Sequence, residues 1–203
     1  MIRLLTYWLF FGLLISLGCQ SKKKTIKSNS QFEREQNSFF KDATTSPLKA
    51  KDLKAFQGLR FFPIDSSFIV KAQLFRTPDS PYFEMKTTTD LVLKERVYGI
   101  LYFSINKQSF ELNLYQSQSA TDSDLDSEEL FLPFLDDTNG VTTYGGGRYI
   151  DLAIPVGNQL VIDFNQAYNP YCAYNEKYSC PIVPKENYLP LHITAGVKRF
   201  KEY

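Results

Sequence analysis

Three successive glycines followed by an arginine form the segment of this chain that is most suited to holding a ligand. The segment is Tyr144, Gly145, Gly146, Gly147 and Arg148. Glycines permit positive φ and a close approach of the backbone, and successive amide N–H groups beside a guanidinium form an anion-binding nest. Such a loop would bind a carboxylate, a phosphate or a sugar hydroxyl. It is not a P-loop, because the GxxxxGK[ST] spacing is missing.

The same loop has a second interpretation, which is purely structural. The glycines would then form a bulge at a strand edge, and Arg148 would pair with Asp136, Asp137 or Asp163. The two interpretations differ in what Arg148→Ala does. At a ligand site the substitution abolishes binding and leaves the free energy of unfolding within about 1 kcal/mol. In a structural role the loss of stability is larger.

A second group of polar residues follows the loop at a distance. Asp163 and Asn165 lie at the end of an expected strand, and Asn169 precedes a proline that opens a turn. Glu186 and Asn187 lie in a proline-bounded segment that is able to fold back over the glycine loop. A carboxylate beside amides either fixes a substrate or ties down a loop, and the second role is the commoner one.

No complete catalytic arrangement is found in the sequence. There is no GxSxG elbow to activate a serine, and His192 lies among apolar residues. Paired carboxylates for glycoside cleavage would come from Asp136, Asp137, Asp163 and Glu186, but their separation decides that mechanism. We therefore favour a protein that is not an enzyme, with an envelope hydrolase as the alternative.

Cys172 and Cys180 lie in a segment rich in tyrosine, asparagine and proline. In an exported protein such a pair is most often a disulfide. It would close a loop of about nine residues and stabilise the fold by roughly 2.5 kcal/mol. A zinc site would lack ligands, since His192 is the one further soft candidate. A redox-active or free thiol pair is the remaining alternative. We expect no metal and no cofactor.

The amino terminus has the layout of a secretion signal. One positive charge, Arg3, precedes an apolar run of about 14 residues, shorter than the roughly 20 that a membrane-spanning helix needs. The junction Gly18-Cys19 is similar to the lipobox of bacterial lipoproteins, although Ser16 stands where that motif prefers leucine. We predict a signal peptide over 1–18, lipidation of Cys19 and a flexible tether over 19–29. A cleaved signal with a free Cys19 and an uncleaved anchor are the alternatives.

The composition limits the class of partner. Acidic and basic residues nearly balance, with a net charge of +1, so nothing indicates nucleic-acid binding. The acidic stretch from Ser117 to Glu129 lacks the glycine and terminal glutamate spacing of an EF-hand and is interpreted as an exposed loop. The lipid anchor makes the membrane the expected partner, on the periplasmic side of a bacterial cell envelope.

The elements that must position these residues are mostly strands. The chain has 17 Phe and 13 Tyr, which favours strands. Phe68, Val70, Ala72 and Leu74 share one face. Expected strands further along the chain are 82–88, 91–95, 97–105, 110–115, 130–135, 148–153, 160–164, 191–195 and 197–201. We predict a mainly β fold, an antiparallel sandwich or a partly open barrel.

Helical patterns are confined to the front of the body. A capping box at Ser30 and Glu33 predicts a short amphipathic helix, and a second turn is expected over Ala50 to Phe56. The expected organisation is a helical arm over 30–57 and a β-rich domain over 58–203.

Three long segments carry a resemblance to a known family: FFKDATTSPLKAKDLKAFQGLRFFPID, PFLDDTNGVTTYGGGRYIDL and VIDFNQAYNPYCAYNEKYSCPIVPKENYLPLHI. They resemble the DUF1684 family of domains of unknown function, in its lipoprotein type. The resemblance runs from about Phe39 to Phe200. It implies location and fold more than activity.

We expect an exported lipoprotein with a polar pocket that binds a small anionic or polyhydroxylated ligand, in a binding or envelope-maintenance role. A purely structural interaction module is a further alternative. The candidate ligand-binding residues are Asp136, Tyr144, Gly145, Gly146, Gly147, Arg148, Asp163, Asn165, Asn169, Glu186 and Asn187.

Overall fold

A computed structural model describes residues 30–118 and 127–201. The expected signal peptide, the tether and Cys19 lie outside these residues, as does most of the acidic stretch. Within the described part of the chain, no helix is long and apolar enough to cross a membrane.

The helical arm consists of two short helices. The first, α1, covers Gln31–Lys41 and begins at Ser30, whose hydroxyl accepts the Glu33 backbone N–H at 3.1 Å, as the capping pattern predicts. The second, α2, covers Ala50–Lys54. The apolar face of α1 is buried through Phe40, which packs edge-on against Tyr174 with ring centroids 4.6 Å apart. The arm is thereby fixed to the segment that contains the two cysteines.

Eight strands follow in the described residues. They are β1 Ile69–Arg76, β2 Phe83–Lys86, β3 Val92–Ile105, β4 Gln108–Ser117, β5 Glu129–Asp136, β6 Arg148–Ala153, β7 Gln159–Asp163 and β8 Tyr188–Leu189. Their order is β6-β5-β4-β3-β1-β7, with β2 beside β3 and β8 beside β5. All pairs are antiparallel except β5 with β8. The sheet curls into a half-barrel, so the mainly β prediction is confirmed in its partly open barrel form.

The inner face of the sheet forms the main core. In β1 the side chains of Val70, Ala72 and Leu74 are buried and alternate with exposed ones, as the period of two predicts. The two strands expected over 91–95 and 97–105 are one long strand, β3, with a bulge between Val97 and Gly99.

A side chain closes the seam between β4 and β5. These strands share one pair of partners, Tyr115 and Phe131, and Pro133 of β5 has no N–H to give. The fully buried amide of Asn187 lies between them. Its Oδ1 accepts the Asn113 N–H at 2.9 Å, and its Nδ2 donates to the carbonyl oxygens of Asn113 and Pro133 at 2.8 and 2.7 Å. The Asn187 amide thus bonds to backbone groups of β4 and β5 in the way that a peptide group of a neighbouring strand would.

Asn187→Asp tests this seam. A carboxylate cannot donate, so the Asn113 and Pro133 carbonyls lose their partner and a charge is buried in its place. We expect the free energy of unfolding, from urea denaturation, to fall by about 2 kcal/mol or more. Glu186→Gln, at the exposed preceding residue, is the matched control and should change it by less than about 0.5 kcal/mol. Equal effects of the two substitutions would contradict the role of Asn187.

Candidate functional site

The glycine loop is a tight turn packed against the sheet. The Gly147 N–H donates to the Tyr144 carbonyl at 3.3 Å, and of the three glycines only Gly147 has positive φ, +92°. A Cβ on Gly147 would lie 2.7 Å from the Phe134 carbonyl oxygen and from Val183 Cγ2. Glycine is therefore required at 147 by packing and by conformation.

Arg148 points into the core and not toward the loop surface. Its side chain has no exposed area and pairs with the equally buried Asp136, with Arg148 Nη2 2.8 Å from Asp136 Oδ2. The guanidinium also donates to the carbonyls of Ile193, at 2.9 Å, and of Ala195, and it lies over the Phe134 ring. Burial lowers the pKa of Arg148, and the charge of Asp136 opposes this shift.

The buried pair explains why the strands expected over 191–195 and 197–201 are absent from the described structure. Ile193 and Ala195 bond to the guanidinium, and the Ile193 N–H donates to Asp136 Oδ1 at 3.3 Å, in place of a sheet ladder. Gly196 then turns the chain with a φ of +76°. The side chains of Arg148 and Asp136 bond to the backbone of this segment, and its apolar residues are buried as they would be in a strand. The sequence alternation of apolar and polar residues therefore cannot distinguish the segment from a strand.

Asp136 and the other polar candidates also form hydrogen bonds within the protein. Oδ1 of Asp136 accepts the backbone N–H of Thr138 at 2.8 Å. Asp163 accepts the N–H of Asn165 at 3.0 Å, and the Asn165 amide bonds to both backbone groups of Asp65. The buried Asn169 donates to the Lys198 carbonyl at 3.0 Å. These side chains tie loops to the sheet.

A pocket of about 500 Å³ lies on the other side of β6. It is bounded by α1, by β6, and by the segments 166–171 and 179–181. Its main lining side chains are aromatic or carry a single polar group: Phe32, Tyr149, Asp151, Tyr168, Tyr171 and Cys180. None of Asp136, Asp137, Asp163 and Glu186 lines it, so the paired carboxylates considered for hydrolysis do not meet there.

Asp151 and Tyr168 form the polar centre of this pocket. The Tyr168 hydroxyl donates to Asp151 Oδ2 at 2.7 Å. Asp151 is open to solvent through the pocket, yet the surrounding walls desolvate it and raise the pKa of its carboxyl group, with a smaller contribution from Glu129. The bond from Tyr168 opposes that rise. Tyr149 packs edge-on against Tyr168 with centroids 5.9 Å apart.

The charge of the lining is negative. Among the described residues that line the pocket, Asp151 is the single charged side chain. The other polar groups are the amides of Gln36 and Gln166, the Ser179 hydroxyl, the tyrosine hydroxyls and the Cys180 thiol. A carboxylate among amides, hydroxyls and rings binds groups that donate hydrogen bonds.

The two cysteines lie beside this pocket as free thiols. The Cys172 N–H is 3.1 Å from Cys180 Sγ, and the Tyr144 hydroxyl is 3.8 Å from Cys172 Sγ. In residues 30–118 and 127–201, no group of three or more His, Cys, Asp or Glu side chains is arranged to hold a metal ion.

Sequence reasoning missed Tyr149, Asp151 and Phe32 as pocket residues. The signal was the alternation along β6, where Arg148 and Ile150 face the core while Tyr149 and Asp151 share the opposite face. The sequence predicts a ligand site at Arg148, on the core side of the strand, because an arginine next to glycines is typical of an anion site. Sequence alone does not show whether that arginine is exposed or buried.

Comparison with known proteins identifies the family. Residues 54–198, more than half of the chain, match the family described as "Protein of unknown function (DUF1684)". The chain belongs to the DUF1684 family. The resemblance expected from the three long motifs is thereby confirmed at the level of the family.

A solved structure supports the fold of this DUF1684 protein. The uncharacterized protein of Haloarcula marismortui whose structure was determined by solution NMR is 30% identical, with a TM-score of 0.67. The match covers 84% of this chain and 92% of that chain. No curated protein matches this DUF1684 chain.

Arg148→Ala tests the buried pair. Removing one partner leaves an uncompensated charge on Asp136 inside the core, so we expect a loss of about 3–5 kcal/mol in the free energy of unfolding. Urea denaturation measures it. The exposed pair of Lys49 and Glu176 supplies the control, and Glu176→Gln should leave the free energy of unfolding nearly unchanged. A loss below about 1 kcal/mol for Arg148→Ala would support a loop-surface role instead.

Proposed function

We propose that this DUF1684 protein is an exported, lipid-anchored binding domain of the bacterial cell envelope, whose ligand occupies the pocket around Asp151. The observation that carries the proposal is the placement of one carboxylate, bonded to Tyr168, in a pocket walled by aromatic rings. Pockets with apolar walls and few polar groups are the usual form of small-molecule sites. The size of this one suits a small organic molecule.

A polyhydroxylated ligand fits this lining better than an anionic one. Asp151 accepts hydrogen bonds from ligand hydroxyls, and the amide oxygen of Gln166 is a further acceptor. The rings of Tyr149 and Tyr171 offer apolar faces to the carbon skeleton. An anion would meet the charge of Asp151 without a basic side chain among the described lining residues. The anionic class, expected from the glycine loop, loses its basis because Arg148 is paired within the core.

Desolvation of Asp151 also supports a binding role. A carboxyl group whose pKa is higher in the folded than in the unfolded chain holds its proton longer when folded. Stability therefore falls as the pH rises from the ordinary pKa of aspartate through the raised value. A carboxyl group with a perturbed pKa beside a specific hydrogen-bond partner in a pocket is typical of functional sites.

The two alternative functions receive less support. The hydrolase reading requires two carboxylates beside one cleft, and the described pocket has Asp151 alone. The interaction-module reading draws on exposed apolar side chains of the outer sheet face, such as Phe75 and Val161. That reading leaves the pocket without a role.

Export and anchoring rest on the amino-terminal pattern. The short apolar run after Arg3 and the Gly18-Cys19 junction support cleavage and lipidation. Export would carry the domain to the periplasmic side of the membrane, with Cys19 as its first residue. A diacylglyceryl group on that residue would hold the chain at the bilayer surface.

Ligand binding is tested by thermal shift with two panels, one of neutral sugars and sugar alcohols and one of small carboxylates and phosphates. We expect Tm to rise with members of the first panel. Asp151→Asn should weaken binding of those compounds about tenfold or more, since it replaces charge-assisted hydrogen bonds. The same substitution should not lower the free energy of unfolding at pH 7, because it removes a desolvated charge.

Glu111→Gln is the matched control, because Glu111 is an exposed carboxylate outside the pocket lining. It should leave the affinity unchanged. Stabilisation by the anionic panel only, or equal affinities for Asp151→Asn and the wild-type chain, would contradict the proposed site.

Anchoring is tested by cell fractionation of a bacterium that expresses the chain. The wild-type chain should be found with the membranes, and Cys19→Ser should release it or leave its signal uncleaved, because the acceptor sulfur is lost. Cys172→Ser, at a cysteine within the folded domain, should stay with the membranes. A mature wild-type chain that retains Met1 would exclude export of this kind.

A further inference from the structure

The two thiols differ in how firmly each is held and how open each is. Cys180 is 5% exposed, and its N–H donates to the Thr88 hydroxyl at 3.1 Å while its carbonyl accepts the Thr88 N–H at 2.9 Å. It is thus fixed beside the β2 end of the sheet. Cys172 lies across from it in a single 3-10 turn, Tyr171–Ala173, and is partly exposed. Cys172 is thus the more exposed of the two residues.

Hydrogen-bond donors surround the Cys172 sulfur. The Cys180 thiol, the Tyr144 hydroxyl and the Thr88 hydroxyl all stabilise a thiolate at Cys172, and they lower the pKa of Cys172 to about 6. The same contact raises the pKa of Cys180, because a second negative charge beside the first is unfavourable. A partly exposed thiolate beside a buried thiol is the arrangement of a nucleophile and its resolving partner.

We propose that Cys172 and Cys180 form a reversible dithiol–disulfide pair that reacts with low-molecular-weight disulfides, with Cys172 as the attacking sulfur and Cys180 as the resolving sulfur. A small disulfide is favoured because Cys172 is only partly open, between Tyr144 and the Cys180 thiol. The disulfide predicted from the sequence is then the oxidised state of the pair. Cys180 also lines the Asp151 pocket, so oxidation of the pair alters one wall of that pocket, but the exchange reaction does not require the ligand proposed there.

The reaction balances in two exchange steps. The Cys172 thiolate attacks one sulfur of the small disulfide, so that a Cys172 mixed disulfide forms and the other external sulfur leaves as a thiolate. Cys180 then gives its proton to solvent, and its thiolate attacks Cys172 Sγ. The bond between Cys172 and Cys180 forms, and the second external sulfur leaves as a thiolate. The protein pair loses two electrons, and the external disulfide becomes two thiols.

The test uses the full chain in detergent micelles with Cys19→Ser, which removes the third cysteine. The reduced protein is mixed with oxidised glutathione at pH 6, quenched with acid and examined by intact mass spectrometry. We expect the parent chain to lose two hydrogens without a lasting adduct. Cys180→Ser should stop at one glutathione adduct. Cys172→Ser should react about tenfold more slowly at this pH, since its remaining thiol has little thiolate.

Three further readouts make the result decisive. The rate at which the parent chain reacts with oxidised glutathione should rise with a midpoint near pH 6, and excess reduced glutathione should restore the dithiol. Alkylation of the parent chain at pH 6 should label Cys172 before Cys180, which needs no variant to fold. Equal rates for both variants, midpoints near the ordinary thiol value of about 8.5, or an oxidised pair that glutathione cannot reduce would overturn the proposal.

Discussion

The buried pair of Asp136 and Arg148 is the constraint on which the rest of this structure depends. It joins the end of β5 to the start of β6, and through the carbonyls of Ile193 and Ala195 it fixes the carboxy-terminal segment to both. The attraction within a buried charge pair offsets the free-energy cost of its desolvation only when both groups also form further hydrogen bonds. The Thr138 and Ile193 N–H groups meet this need for Asp136. The segment after β8 is therefore ordered without belonging to the sheet.

The pocket is the other consequence of how β6 is placed. Successive side chains of a strand face opposite sides, so fixing Arg148 in the core directs Tyr149 and Asp151 outward, against the segment of Tyr168 and Tyr171. The helical arm covers this side through Phe32. Core and pocket thus share a strand, and a change in its register would disturb both at once.

Much of the fold is predictable from the sequence, because alternation in β1 and the capping box at Ser30 are local signals. The sequence predicts Asp136, Asp137 and Asp163 as possible partners of Arg148. It does not distinguish among them, because the pairing depends on contacts across the sheet. The pocket was missed because Asp151 lacks an unusual neighbour in sequence. It becomes distinctive only when Tyr168 and the turns beyond it are brought alongside, which is a property of the tertiary structure.

The amide that closes the seam between β4 and β5 has a consequence for how such sequences diverge. Asn187 bonds only to main-chain atoms, the N–H and carbonyl of Asn113 and the carbonyl of Pro133. Every residue type has the carbonyl, and every type except proline also has the N–H. The contacted positions are thus able to drift while the asparagine stays. Substitutions at the contacted positions would therefore not be correlated with substitutions at Asn187. A covariation analysis of aligned relatives would not detect this contact, although it links β4 to β5.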